Sequence, residues 1–114
     1  MEELKTVFIS LPMHGKSNIE IATSIVLAKR AYIRTAKETD LFRFCHNFQP
    51  DIRAEDNGAQ IGKERIWYLG KAIEMMSKCD EVFFYGDWKN AKGCMIEHEI
   101  CEKYGIPFTE GKEE

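Results

Sequence analysis

Apolar residues recur along this chain with two alternating spacings. Residues 6–10 (Thr-Val-Phe-Ile-Ser) form a β-branched and aromatic run without polar alternation, as expected of a central parallel strand covered on both faces. The run leads into 11–16, a loop holding a proline and a glycine. Ser17 and Glu20 have the S-x-x-E spacing of a capping box, which predicts a helix from there to about residue 37. Ile21, Ala22, Ile25, Val26, Ala28, Ala31 and Tyr32 give that helix a broad apolar face. Residues 41–48 read as a second strand, with Arg43 and His46 marking a partly exposed edge and Pro50 stopping it. The polar stretch 51–62 reads as a surface loop or a mobile lid. A second helix follows over 62–78, with Ile66, Leu69, Ile73 and Met76 as its buried stripe and Trp67 and Tyr68 beside it. Residues 82–85 (Val-Phe-Phe-Tyr) read as a buried strand, and 86–92 as a turn-rich loop. The helix after it is ended by Gly105 and barred from continuing by Pro107. A short strand over 106–109 and a charged, fraying tail over 110–114 complete the pattern.

No repeat and no linker interrupts this series, so one domain is expected over 1–114. The order β-α-β-α-β-α-β predicts an α/β fold with three layers, flavodoxin- or Rossmann-like. Its mostly parallel sheet of about four strands has the order 2-1-3-4, with helices on both faces.

Within the third helix, Ile96, Ile100, Cys101 and Tyr104 share an apolar face, and Glu97 falls inside it, while His98, Glu99, Glu102 and Lys103 point toward water. Two readings stand for this inward carboxylate. It meets the positive end of the helix dipole or pairs with a buried cation, for structural reasons alone. Alternatively, it is held at the mouth of the sheet to attack or protonate a ligand.

Composition narrows the field. A formal charge of -3 with no basic stripe argues against a nucleic acid polymer as partner. Cys45, Cys79, Cys94 and Cys101 include no C-x-x-C pair, so reduced thiols are expected. No signal peptide and no apolar run long enough for a bilayer is visible, so a cytoplasmic protein without membrane contact is expected. No P-loop is present, no G-x-G-x-x-G follows the first strand, and nothing has zinc or EF-hand spacing. Neither a cofactor nor a metal is therefore expected.

Open parallel sheets bind ligands beyond the carboxyl ends of the strands, where the strand order reverses. With the predicted order, loops 11–16 and 86–92 meet at that point and lead into helix N-termini suited to anions. The first loop brings His14, Gly15 and Lys16; the second brings Asp87, Trp88, Lys89, Asn90, Lys92 and Gly93, one turn before Glu97. The glycines also suit plain turns, and the lysines plain solvent exposure. Trp88 in a polar loop wants something to cover it.

The combination Ser10-x-Pro12-Met13-x-Gly15, then Cys79-Asp80 before a strand, then Gly93-x-x-x-Glu97 opening a helix, then Gly105-Ile-Pro107, resembles the nucleoside 2-deoxyribosyltransferase-like superfamily, in a short branch of it. The resemblance covers nearly the whole chain, and the Gly-x-x-x-Glu helix is its most specific part. It implies that Glu97 is a nucleophile attacking the anomeric carbon of a deoxynucleoside or its 5′-monophosphate. It also implies that Ser10, Pro12, Met13, His14, Gly15 and Lys16 lie by the sugar and the 5′ position. Asp87, Trp88, Lys89 and Gly93 would border the sugar or base. Small-molecule nucleosides or nucleotides are the partners it implies, in a homodimer or larger homo-oligomer. The chain departs from the superfamily's pattern at Phe8, where members often have tyrosine, at Cys94 after the glycine, and at Ala72. A non-catalytic nucleotide-binding module, or an interaction scaffold using Trp67 and Trp88, is the alternative on the same fold.

Overall fold

The computed structural model describes residues 4–37 and 40–112. Four strands, β1 (Lys5–Ser10), β2 (Phe42–Cys45), β3 (Glu81–Tyr85) and β4 (Phe108–Gly111), alternate with three helices, α1 (Asn18–Thr35), α2 (Glu64–Met76) and α3 (Lys92–Tyr104). All strand pairs are parallel, and the order is β2-β1-β3-β4. The α/β architecture and strand order read from the sequence are thus those of the protein.

The two central strands explain the absence of alternation in their sequences. Val7 and Ile9 face the α1 side with Ile21, Ile25, Ala28 and Tyr32, while Phe8 faces the other side with Ala72, Met76, Val82 and Phe84. Successive strand residues point to opposite faces, so a strand sandwiched between helix layers must be apolar at each position. Helix α1 lies on one face; α2 and α3 share the other.

Helix α1 begins as the capping box requires. The Ser17 hydroxyl accepts from the Glu20 N–H at 3.2 Å, and the Glu20 carboxylate accepts from the Ser17 N–H at 3.1 Å. Its inner stripe is narrower than expected, because Ala22 and Val26 are exposed; Ile21, Ile25, Ala28 and Tyr32 are buried against the sheet and Ala31 packs beside them. The buried carboxylate of Glu81 ties α1 to three strands. It pairs with the Lys5 ammonium at 2.8 Å and accepts from the Tyr32 and Thr109 hydroxyls at 2.9 and 2.8 Å. Burial alone would raise its pKa, but these partners hold the carboxyl below its ordinary range.

Several boundaries differ from the sequence reading. Strand β2 ends at Cys45 rather than at residue 48, because its register with β1 runs out at Phe8. Beyond it the Phe48 N–H turns to His46 Nδ1 at 3.3 Å, a local bond in place of a ladder bond. Strand β4 begins at Phe108, two residues later than expected. Residues 105 and 106 still belong to the helix cap: Gly105 takes φ 69° and the Ile106 N–H donates to the Cys101 carbonyl. Glu110 and Gly111 therefore pair with Phe84 and Tyr85 instead of fraying, while residues 113 and 114 lie outside the described residues. The stretch 51–62 contains a 3-10 turn (Ala54–Asn57) whose Ala54 is fully buried.

Helix α2 also turns differently. Ile66 is 67% exposed, and the buried positions are Ala72 and Met76. The side of its first turns that carries Arg65, Tyr68 and Leu69 borders a cavity instead of the sheet. In α3, Tyr104 is 80% exposed and Ile96 is also exposed, whereas His98 is half-buried against the Trp88 ring. The stripe that meets the sheet is Cys94, Glu97 and Cys101, at i, i+3 and i+7. No helix among the described residues is long and apolar enough to cross a membrane.

Candidate active site at the carboxyl ends of β1 and β3

Strand β1 continues to β2 on one side and is flanked by β3 on the other, so the loops after β1 and β3 diverge and leave a crevice between them. A cavity of about 860 Å³ occupies this place. That is within the range of sites for drug-sized ligands.

Glu97 lies at its floor. The side chain is 7% exposed, and its Oε1 accepts from the Ser10 hydroxyl at 2.6 Å. Ser10 is the last residue of β1, and Glu97 stands in the second turn of α3, so the bond closes the helix onto the central strand. Oε2 has no hydrogen-bond partner among the described residues. No fully buried polar side-chain atom among them lacks a partner, so Oε2 must reach the cavity.

The surroundings make this an unusual carboxyl. Burial pushes its pKa from 4.5 up to about 7, and the Ser10 hydrogen bond opposes that rise without cancelling it. No charged neighbour contributes, which sets aside a buried cation partner among the described residues. Cys94 and Cys101 lie along the same stripe, and their thiols are pushed up by burial, to about 12 and about 11. They are neutral at physiological pH, so Glu97 is the only group on this stripe that titrates near neutrality.

The loop after β1 brings Pro12, Met13, His14, Gly15 and Lys16 to the cavity beside Ser10. Gly15 has φ 80°, a left-handed turn that swings the chain from the strand into α1 and favours glycine. The loop after β3 brings Asp87, Asn90, Lys92 and Gly93. Asn90 donates to both carboxylate oxygens of Asp87 at 2.8 and 2.9 Å, which orients that carboxylate at the rim.

Trp88 and Lys89, expected at the site, do not line the cavity. Residues Trp88–Asn90 form a 3-10 turn, and at three residues per turn Asp87 and Asn90 share one side while the two between them are carried away. Trp88 is instead buried behind the site, with ring centroids 5.1 Å from Phe84 and 4.4 Å from His98. It is covered by its own chain. Lys89 is exposed, its ammonium 5.6 Å from the Trp88 ring centre.

Of the opposite wall, sequence reasoning singled out Ala72 alone, as a departure from the superfamily's pattern. Arg65, Tyr68, Leu69 and Ala72 line the cavity from α2, and Asn47 and Gln49 line it from the segment after β2. Tyr68 fastens that wall: its hydroxyl accepts from the Ala54 N–H and donates to the Ile52 carbonyl, both at 3.1 Å, while Asn47 Nδ2 donates to the Tyr68 carbonyl at 2.6 Å. The spacing 65, 68, 69, 72 is one helical stripe, and an arginine within it was the available signal.

Fold and site together define an α/β protein with a half-open crevice at a topological switch point and a buried, titratable glutamate lining it. Residues 54–110, half of the chain, match the family described as "Domain of unknown function (DUF4406)", and the protein belongs to that family. The matched segment carries Arg65, Tyr68, Asp87 and Glu97, whereas the β1 loop precedes it. A comparison with curated proteins found no match.

Proposed function

We propose that this protein cleaves or exchanges the N-glycosidic bond of a (deoxy)nucleoside or nucleoside 5′-monophosphate, with Glu97 as the nucleophile. The observation that carries this reading is the Glu97 carboxyl, buried without a cation, with Oε1 held by Ser10 and Oε2 open to a nucleotide-sized cavity. Of the residues that carry the resemblance to nucleoside 2-deoxyribosyltransferases, Ser10, Pro12, Met13, Gly15, Gly93 and Glu97 border that cavity, while Cys79, Asp80, Gly105 and Pro107 lie away from it.

In this reading Oε2 of ionised Glu97 attacks the anomeric carbon as the C–N bond to the base breaks. The bonding electrons leave with the base, which takes up a proton from solvent. The glycosyl ester on Glu97 is then opened by water or by a second base, whose proton is released, and the carboxylate is regenerated. Ser10 supports the carboxylate as leaving group by donating to Oε1. A carboxylate partly stripped of water is a stronger nucleophile than a fully hydrated one, and burial desolvates Glu97. Lys16, Arg65 and Lys92 give the cavity cationic groups for a 5′-phosphate. A cytoplasmic location and a homo-oligomer belong to the same reading; Val26 and Ile33, apolar side chains exposed on α1, support the oligomer alone.

The test is incubation of the wild type, Glu97→Ala and Glu97→Gln with deoxynucleosides, their 5′-monophosphates and NAD, measuring free base by chromatography. We expect release by the wild type and a loss of at least about a thousandfold in both variants. Equal release by all three removes Glu97 from the chemistry. Saturable binding of a nucleotide by calorimetry without any release leaves the crevice as a binding module.

A further inference from the structure

Away from Glu97, two of the four cysteines stand together. Cys45 Sγ, at the end of β2, lies 3.0 Å from Cys79 Sγ, which follows α2. That is about 1 Å longer than a disulfide bond of about 2.05 Å, so little movement separates the dithiol from the bonded pair. Both thiols are half-buried rather than enclosed, unlike Cys94 and Cys101. Cys79 Sγ also lies 3.2 Å from the Met75 carbonyl, which holds it at the helix end facing the edge strand.

The position of the pair matters for the cavity. Cys45 leads directly into the segment that supplies Asn47 and Gln49, and Cys79 lies three residues beyond the end of the helix that supplies Arg65 and Tyr68. Those two walls are already joined near the cavity by the Asn47–Tyr68 hydrogen bond. We propose that Cys45 and Cys79 form a reversible disulfide, made by exchange with a small-molecule disulfide, that clasps this wall of the cavity. The step balances as two exchanges. The Cys45 thiolate attacks a sulfur of the small disulfide and expels one small thiolate. Cys79 then gives up its proton to solvent and attacks Cys45 Sγ, expelling the second. Two protein thiols are oxidised, and one small disulfide is reduced to two thiols. Burial and the neighbouring Cys45 sulfur push the Cys79 thiol up to about 12, which disfavours its attack on an external disulfide.

The inference does not depend on Glu97 being catalytic, so failure of one leaves the other standing. The full chain is equilibrated with oxidised glutathione, unfolded, alkylated and weighed, then digested without reduction. The expected result is a chain carrying two alkyl groups instead of four and lighter by about 2 Da besides, for the two hydrogens lost, with a peptide joining Cys45 to Cys79. Dithiothreitol should restore four alkylatable thiols, and Cys45→Ser and Cys79→Ser should each abolish the 2 Da loss. Four free thiols after oxidation, a link involving Cys94 or Cys101, or a link between two chains overturns the proposal. Amide hydrogen exchange tests the clasp: slower exchange across residues 46–58 in the oxidised protein is expected, and unchanged exchange overturns that part. The oxidised form should also melt at least about 5 °C higher, because the bond restricts the unfolded chain.

Discussion

Replacing Glu97 by glutamine should make the protein more stable at alkaline pH and leave it nearly unchanged in acid. The folded state holds the Glu97 proton more tightly than the unfolded chain, the pKa rising from 4.5 to about 7. At about 1.4 kcal/mol for each tenfold change in proton affinity, ionising Glu97 costs the folded state about 3 kcal/mol. Below pH 4.5 the group is protonated in both states and costs nothing. Between 4.5 and 7 the unfolded chain has released the proton and the folded chain has not, so wild-type stability falls as pH rises. Above 7 both are ionised and the penalty is constant. Glutamine has the same shape, can still accept from Ser10, and never ionises. The stability of Glu97→Gln minus that of the wild type should therefore grow by about 3 kcal/mol between pH 4.5 and pH 8, most of it before pH 7. Against a total of about 5–15 kcal/mol for a small domain this is a large effect. Urea unfolding at pH 4.5, 6 and 8 would show midpoints diverging by about 1 M or more. Other titrating groups are common to both proteins and cancel in the difference. A difference that stays the same at all three pH values would refute the reasoning, because it would mean that Glu97 is as well solvated folded as unfolded.

Two further expectations follow from hydrogen bonds already described. Ser10→Ala removes the donor that favours ionised Glu97, so the Glu97 titration, followed by carboxyl carbon NMR shifts, should move upward by about one pH unit. Glu81→Ala leaves the Tyr32 and Thr109 hydroxyls without their acceptor and should lower stability by about 2 kcal/mol in urea unfolding. Because Glu81 is held below the ordinary carboxyl range, its stabilising effect is complete above that range. The gap between variant and wild type should then close as the pH falls through the titration of Glu81.

Glu97 illustrates what could be read without coordinates. Helical phase alone placed it on the inner face of its helix, in one arc with Ile96, Ile100, Cys101 and Tyr104, and the structure buries it with Cys94 and Cys101. The same arithmetic put Tyr104 and Ile96 inside as well, and there it failed. Phase fixes which residues lie together but not which part of that arc meets the sheet; the helix settled with the small cysteines inward and the larger side chains outside. Trp88 shows the complementary error. Its need for cover was legible, yet the cover came from Phe84 and His98, which only a packed α3 and β3 bring within reach.

The order of elements and the two central strands were determined by the sequence itself, because uninterrupted β-branched and aromatic runs are stable only when helices cover both faces of a parallel sheet. The Ser17 capping box and the Gly105 stop are likewise local, each satisfied by backbone groups a few residues away. Tertiary structure alone decided the rest: which loop residues face the crevice, that α2 overhangs it with Arg65 and Tyr68, and that Ser10 reaches Glu97 across 87 positions of chain. Such contacts depend on how helices rotate and slide on the sheet. Periodicity does not specify that movement, because it is the sum of many weak packing terms along the whole interface.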